Sequence, residues 1–387
     1  MKICWLASWY PTVLSPFNGD FIQRHARAAA GYNEVEVFYV LKDATGVVTQ
    51  DVKEVVTTNG NLTERIIYYK PRKTGLPLID RIISDRKYRK VYKAALSAYT
   101  ERSGKPTLVH VQVALKAGLM ARWYQKNFGV PYIVTEHWAG FYDYAKPNVN
   151  DYNWLYKKWW RLIFEEAAAV VFVSASLRDC VAQLFIMKAT EIIPNVVDHR
   201  LFFPVEKPVT QTVNFIHASN MNDQKNVDDI LKALQLLKKQ TSHFTLSLYG
   251  PVQEKYKRLI KTLGLEEQVQ LKGEAPQTEL AKAMQQSDAL ILYSRFESFG
   301  CVLIEANACG IPVIVSELPV FHELLTDGEN ALFSKGENPA ALCEKLLEFI
   351  DRRSVFNAQK IADGTKRYSM ETVGGDFTKL YKLLSQK

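Results

Sequence analysis

The sequence predicts an α/β protein of two Rossmann-like domains whose parallel sheets face one another across a cleft. Strand-like apolar runs alternate with segments of helical period along most of the chain, the pattern that builds parallel sheets. The alternation comes as two successive series, separated by Asp198 to Thr212, which holds two prolines and no periodicity. The length of 387 residues exceeds what one ordinary core organises, so two domains are expected, 1–200 and 201–370.

The first series opens with a strand from Lys2 to Ser8, passes through a turn at Gly19 into a helix from Phe21 to Ala30, and continues as a strand from Glu34 to Val40. Residues 41 to 75 are ambiguous, with a hairpin as one option. Thr107 to Gln112 reads as a strand, Leu115 to Lys126 as a helix, Tyr132 to Thr135 as a strand, Asn153 to Phe164 as a Trp-rich helix and Ala168 to Ser174 as a strand. The second series begins with the strand from Val213 and alternates through helix Val227 to Lys239, strand Phe244 to Tyr249, helix Lys255 to Leu263, strand Val269 to Lys272 and helix Gln277 to Gln286. It then enters the wholly apolar strand Ala289 to Ser294, of the kind buried on both faces of a parallel sheet. Val355 to Lys387 is helical.

A hydrophobic fraction of 47% with 23% charged residues is that of a folded globular chain and argues against disorder. No apolar run approaches the ~18 residues that span a bilayer, and the amino terminus runs into a strand instead of a signal peptide, so the cytoplasm is the expected compartment. Cys4, Cys180, Cys301, Cys309 and Cys343 fall in no C-x-x-C spacing, which favours buried thiols over disulfides or a metal site. Residues 1–200 hold 27 Lys and Arg against 18 Asp and Glu; of the totals of 49 and 41 the remainder keeps 22 and 23, so the amino-terminal half carries the positive charge.

The most informative segment is RFESFGCVLIEANACG, Arg295 to Gly310. Glu297 stands at the carboxyl end of a strand, the edge where open α/β sheets bind ligands, and Gly300 lets the first N–H groups of the next helix approach an anion. Glu305 lies roughly 7.5 Å further along that helix at ~1.5 Å per residue. Two acceptor-only carboxylates on either side of an anion site suit a diphosphate flanked by hydroxyl-bearing groups, as in a sugar nucleotide. Idle surface carboxylates near a helix start are the plain alternative.

Within SDALILYSRFESFGCVLIEANACGIPVIVS, the Glu297–Glu305 pair resembles the E-x7-E element of the retaining family-four glycosyltransferases, the group 1 enzymes of GT-B fold. The resemblance implies transfer of a hexose from a nucleotide diphosphate sugar to a hydroxyl acceptor on a lipid-linked or glycan precursor, with retention and without metal or cofactor. It implies that Glu297, His137 and Lys225 act at the reacting centre. It sets Gly19, Asn220, Lys225, Ser298, Phe299, Gly300, Cys301, Val302 and Glu305 against the donor, with Glu305 on the ribose and the N–H groups from Gly300 to Val302 on the diphosphate. His137, in IVTEHWAGF, matches the family's T-x-H position; Glu136 beside it is a candidate acceptor contact. Ile193-Pro194-Asn195 looks like the family's cleft-shaping loop, and the last helix, 371–387, is expected to return to the first domain.

Several positions depart from the family, among them Ser298, which stands where the family commonly has Gly, and the first loop, where Gly19 is the one family glycine present. Lys225 and Asn226 match the lysine and following glycine of its phosphate clamp, whereas Asn220 takes the place of the clamp arginine and supplies no charge. Either Lys225 suffices, another cation such as Arg295 reaches in, or activity is weakened. Asp20 beside Gly19 reads as a helix N-cap. A sugar-nucleotide-binding protein of weakened catalysis and a GT-B sugar-nucleotide epimerase are the alternative functions.

KPRK (Lys70 to Lys73), DRKYRKVYK (Asp85 to Lys93) and NWLYKKWWRLIF (Asn153 to Phe164) interleave cations with aromatics. They are either solvated helix faces or a surface that meets an anionic membrane, where Tyr and Trp sit at the headgroup level. No zinc-finger, helix-turn-helix or stacking-sheet signature accompanies the charge, so nucleic acid is not an expected partner. No D-x-D and no metal-spaced His/Asp cluster is present in the sequence.

Overall fold

The computed structural model describes residues 1–72, 74–208, 210–336 and 338–386. Lys73 of the KPRK stretch, Val209 of the connecting stretch and Lys387 of the terminal segment lie outside the described residues. The chain divides into two compact units, Met1–Val196 with Met370–Lys387, and Val197–Ser369.

The first unit runs β1 (Lys2–Ala7), α1 (Asp20–Ala30), β2 (Glu34–Lys42), β3 (Val52–Asn59), β4 (Leu62–Tyr69), α2 (Pro77–Ser103), β5 (Leu108–Gln112), α3 (Ala117–Phe128), β6 (Tyr132–Glu136), α4 (Trp154–Glu166), β7 (Ala169–Phe172), α5 (Ala175–Ala182) and β8 (Thr190–Ile192). The strands lie in the order β3-β4-β2-β1-β5-β6-β7-β8. Every neighbouring pair is parallel except β3 with β4, an antiparallel hairpin that occupies the stretch where the sequence pattern was ambiguous. The chain leaves β1 toward β2 and β4 on one side and returns to β5 on the other, so the strand order reverses between β1 and β5. Ligands of open α/β sheets collect at such a reversal, beyond the carboxyl strand ends.

Buried apolar positions explain the helix against this sheet. Ile22, Ala26, Ala29 and Ala30 of α1 turn inward at helical spacing, and Trp5 of β1 packs edge-on to His110 at 4.5 Å and to Phe377 at 6.0 Å. The sequence pattern exposed α2 only at Asp85 to Lys93. This helix buries Tyr88, Tyr92, Leu96 and Tyr99, whereas Leu78, Ile79 and Ile82 in its first turns are 75%, 42% and 53% exposed. Its start therefore exposes an apolar face of its own, and no single stripe marks its full length.

The second unit runs β9 (Val213–Ala218), α6 (Val227–Lys238), β10 (Phe244–Tyr249), α7 (Glu254–Thr262), β11 (Val269–Gly273), α8 (Gln277–Gln286), β12 (Ala289–Leu292), α9 (Cys301–Ala308), β13 (Val313–Ser316), β14 (Ala331–Ser334), α10 (Pro339–Arg352) and α11 (Ala358–Asp363). The terminal helix α12 (Met370–Ser385) belongs to the first unit. All neighbours in the order β11-β10-β9-β12-β13-β14 are parallel, and the reversal falls between β9 and β12. Every residue of β12, β13 and β14 is buried, as strands covered on both faces require. The strand read from Ala289 to Ser294 leaves the ladder after Leu292, because Ser294 offers its carbonyl to Ser316 Oγ (2.6 Å) and Arg295 its N–H to Gln224 O (2.8 Å). Strand β14 and helix α10 carry no assignment in the sequence reading. Among the described residues no disulfide forms; Cys4, Cys309 and Cys343 are buried.

Candidate functional site

In the second unit the loops that follow β9 and β12, on either side of the strand reversal, are joined. Lys225 ends a short 3-10 turn after β9 and donates through Nζ to Glu297 Oε1, which also accepts from Ser294 Oγ at 2.8 Å. Glu297 is 7% exposed and Lys225 16%, so the pair is largely shielded from water and its hydrogen bonds matter more than those of a surface pair. Arg295 Nη1 donates to Asp223 O at 2.6 Å and Gln224 Nε2 to Phe296 O at 2.7 Å, locking the two loops together. Behind them His217 bridges β9 to β12 through Nδ1 to Ile291 O (2.8 Å) and holds Ser219 Oγ with Nε2 (2.7 Å). Burial, opposed by the bond to Ile291 and assisted by the Lys225 ammonium, brings this imidazole down to about 4, so it stays neutral at physiological pH.

Gly300 caps α9 with φ +91°, and a Cβ there would stand 2.9 Å from Leu303 Cδ1, so the turn needs glycine. The N–H groups of the first helical turn point out of the helix start; at α9 these begin with Cys301 and Val302, while that of Leu303 already donates to Gly300 O at 2.9 Å. Ser298 is half-buried and Phe299 fully so, its ring edge-on to Tyr368 at 5.9 Å. Glu305 lies one turn into α9, 4% exposed. Asn226 is explained by its backbone: φ is +51°, a conformation that asparagine tolerates in place of glycine, while its Nδ2 holds Asp229 Oδ2 at 3.1 Å. Asn220 is exposed and folds over its own loop, its Oδ1 3.4 Å from Asn222 N.

A second set of residues gathers at the strand reversal of the first unit. Gly19 (φ +73°) opens α1, and a Cβ on it would meet the Trp9 and Tyr10 backbone at 2.8 Å. Asp20 is the first helical residue and not the cap; its carboxylate instead pairs with Arg24 at 3.4 Å. Phe21 packs against His137 with ring centroids 4.9 Å apart, and His25 stands at 5.4 Å. One hydrogen-bond assignment satisfies the network below. His110 Nδ1 donates to Tyr381 Oη (2.7 Å), its Nε2 accepts from Thr135 Oγ1 (2.6 Å) and Gln112 Nε2 (3.1 Å), and Gln112 Oε1 accepts from His137 Nε2 (3.0 Å). Nδ1 of His137 is thereby an acceptor, and it is buried with no partner among the described residues. Burial, reinforced by His25 and His110, holds this ring well below the usual histidine range, so it is neutral.

Glu136 is no acceptor contact. It is fully buried and takes the N–H groups of His137 (2.9 Å), Trp138 (2.9 Å) and Ala114 (3.1 Å), bracing the loop that carries His137. Pro194 likewise serves inside the unit, its carbonyl bonded to His25 Nε2 at 3.1 Å. Sequence reasoning missed Ser294, Gln112 and His25; the last two act through contacts with residues remote in the chain, His137 and Pro194, and Ser294 through Glu297 three positions on. Among the described residues, no group of three or more His, Cys, Asp or Glu side chains gathers in a way that would hold a metal ion.

Solved structures align with the whole chain. Sucrose-phosphate synthase from Thermosynechococcus elongatus matches at a TM-score of 0.80 with 17% identity, covering 99% of each chain. Anabaena HepE in complex with UDP and glucose matches at 0.71 with 17% identity, again over 99% of each. With two parallel-sheet α/β units, these place the protein in the GT-B class. A model for Glycosyltransferase Family 4 matches residues 32–201 and one for Glycosyl transferases group 1 matches residues 200–366; the chain belongs to this glycosyltransferase family. Glycogen synthase of Mycobacterium tuberculosis is 25% identical over 295 residues, 72% of this chain and 67% of that protein.

Proposed function

We propose that this glycosyltransferase moves a hexose from a nucleotide diphosphate sugar to a hydroxyl acceptor on a lipid-linked or glycan precursor, with retention and without a metal ion. The observation that carries the proposal is the pairing of half-buried Lys225 with buried Glu297 at the strand reversal of the second unit, followed at once by the Gly300 helix start. An arriving diphosphate competes for the Lys225 ammonium and lies against the first N–H groups of α9. Arg295, fixed on the Asp223 loop next to Lys225, supplies the cation that Asn220 lacks. Glu305 takes the ribose hydroxyls, and Glu297, once released from Lys225, takes hydroxyls of the sugar. In the first unit, the neutral His137 presents Nδ1 to a hydroxyl, and the α1 start at Gly19 offers N–H groups to phosphate.

In the transfer step the bond between the anomeric carbon and the diphosphate oxygen breaks. The acceptor oxygen bonds to the same face of that carbon, and its proton passes to the departing phosphate oxygen. HepE was solved with UDP and glucose, which makes UDP-glucose the first donor to test here. Calorimetry with UDP should give Glu305→Ala a roughly ten- to hundredfold weaker affinity, the loss of hydrogen bonds to a charged acceptor. Unchanged affinity refutes the ribose role. UDP release that requires an acceptor supports transfer; donor binding without release on any acceptor favours a binding protein weakened at Asn220, and donor conversion with no acceptor favours an epimerase.

The proposed setting is an anionic membrane surface on the cytoplasmic side. Among the described residues no helix is long and apolar enough to cross a membrane. The exposed apolar start of α2, with Trp154 72% exposed at the start of α4, suits shallow insertion beside the basic residues of both helices. Lys87 contributes less than its sequence context suggested, because it is paired with Asp51.

A further inference from the structure

We infer that the groove between α2, α3 and α4 of the first unit binds a phosphate- or diphosphate-bearing ligand, at a site that shares no residue with the strand-end sites. The groove has a volume of about 380 Å³. Five cationic side chains line it: Arg89 and Lys93, one turn apart on α2, Arg122 and Lys126, one turn apart on α3, and Lys158 on α4.

Their arrangement differs from a solvated face. Two of them are held by aromatic walls, with the Arg89 guanidinium 5.6 Å from the Trp159 ring centroid and the Lys93 ammonium 5.0 Å from that of Trp123. Arg122 is occupied by Glu166, which lies 3.9 Å from Lys126 as well. Arg89, Lys93 and Lys158 meet no carboxylate among the described residues, so the groove gathers like charges with a single acidic counterpart. Such a gathering is unfavourable until an anion enters, and a guanidinium fork with ammonium groups matches the several oxygens of a phosphate. Leu119, Leu155 and Leu162 line the same groove, giving an apolar or aromatic body attached to the phosphate a surface to lie on.

All seven tryptophans of the chain are at or before Trp160, in the first unit, so tryptophan emission reports on phosphate bound there, and the variants separate the groove from the strand-end site. The test titrates the full chain in low-salt buffer with sodium pyrophosphate, and in parallel with phosphatidylcholine vesicles with and without phosphatidylglycerol, vesicle binding being read also by co-sedimentation. The R89Q/K93Q/K158Q variant keeps the side-chain stems and removes three groove charges. K239Q/K261Q/K282Q removes three exposed charges from the second unit and controls for net charge. The expected result is saturable binding that weakens about tenfold or more in the first variant and stays within about twofold in the second. A response to pyrophosphate assigns the site to a free phosphorylated compound; a response confined to the anionic vesicles, with the same pattern of variants, assigns it to a lipid headgroup. Binding of neither probe, or an equal effect of the two variants, overturns the inference.

Discussion

Glu136 shows how burial redirects a residue that sequence context offers to a ligand. A carboxylate next to His137 at a strand end invites a role at the substrate, but three backbone N–H groups already surround it and leave no exposed oxygen. Burial outweighs those bonds and pushes its carboxyl from the ordinary 4.5 up to about 7. Between these values the native state keeps a proton that the unfolded chain has released. Unfolding free energy therefore falls as pH rises through this window and levels off above it. Relative to Glu136→Gln, the wild type should lose about 3 kcal/mol of stability between pH 4.5 and 7.5, at 1.36 kcal/mol per unit, measured by denaturant unfolding. Parallel pH profiles for the two proteins would refute the account. Glu297 and Lys225 were each legible as ligand contacts, whereas their pairing spans 72 positions and required the fold to bring β9 beside β12.

At the scale of elements, strand β12 was the most legible because burial on both faces leaves an unbroken apolar run. Ala289 to Leu292 needs no partner to be recognised. Helix α2 was harder, since its first turns face solvent with leucine and isoleucine while later turns face the sheet. If those turns meet a bilayer, Leu78→Ser with Ile82→Ser should lower the fraction bound to anionic vesicles by about tenfold or more. Each apolar side chain buried in lipid contributes ~1.5–3 kcal/mol. Folding stability should shift by less than about 0.5 kcal/mol each, because both residues are already exposed. Co-sedimentation measures the first quantity and denaturant unfolding the second; unaltered vesicle binding removes the apolar start of α2 from the attachment surface.

For the whole molecule, the return of the chain's last helix to the first unit decides what that unit's core contains. α12 buries Val373, Phe377, Leu380 and Tyr381 there, and Tyr381 Oη is the acceptor for His110 Nδ1, the base of the network that orients His137. Four such side chains contribute on the order of 6–12 kcal/mol, comparable to the whole stability of a domain. Removal of residues 370–386 should therefore make the first unit bind a hydrophobic dye and lose its cooperative melting, while UDP affinity in the second unit persists. A truncated protein with two intact transitions would contradict this. The sequence by itself determined the two alternating series and the Glu297-to-Glu305 block, because periodicity, glycine at a forced turn and a helix start are properties of neighbouring residues. Only the tertiary structure decided which polar groups meet: that Lys225 closes on Glu297, that Gln112 aims His137, and that Glu136 is consumed by the backbone. The first two contacts, and the bond from Ala114 to Glu136, join residues separated along the chain, and the energies of all of them depend on how completely the surrounding core excludes water.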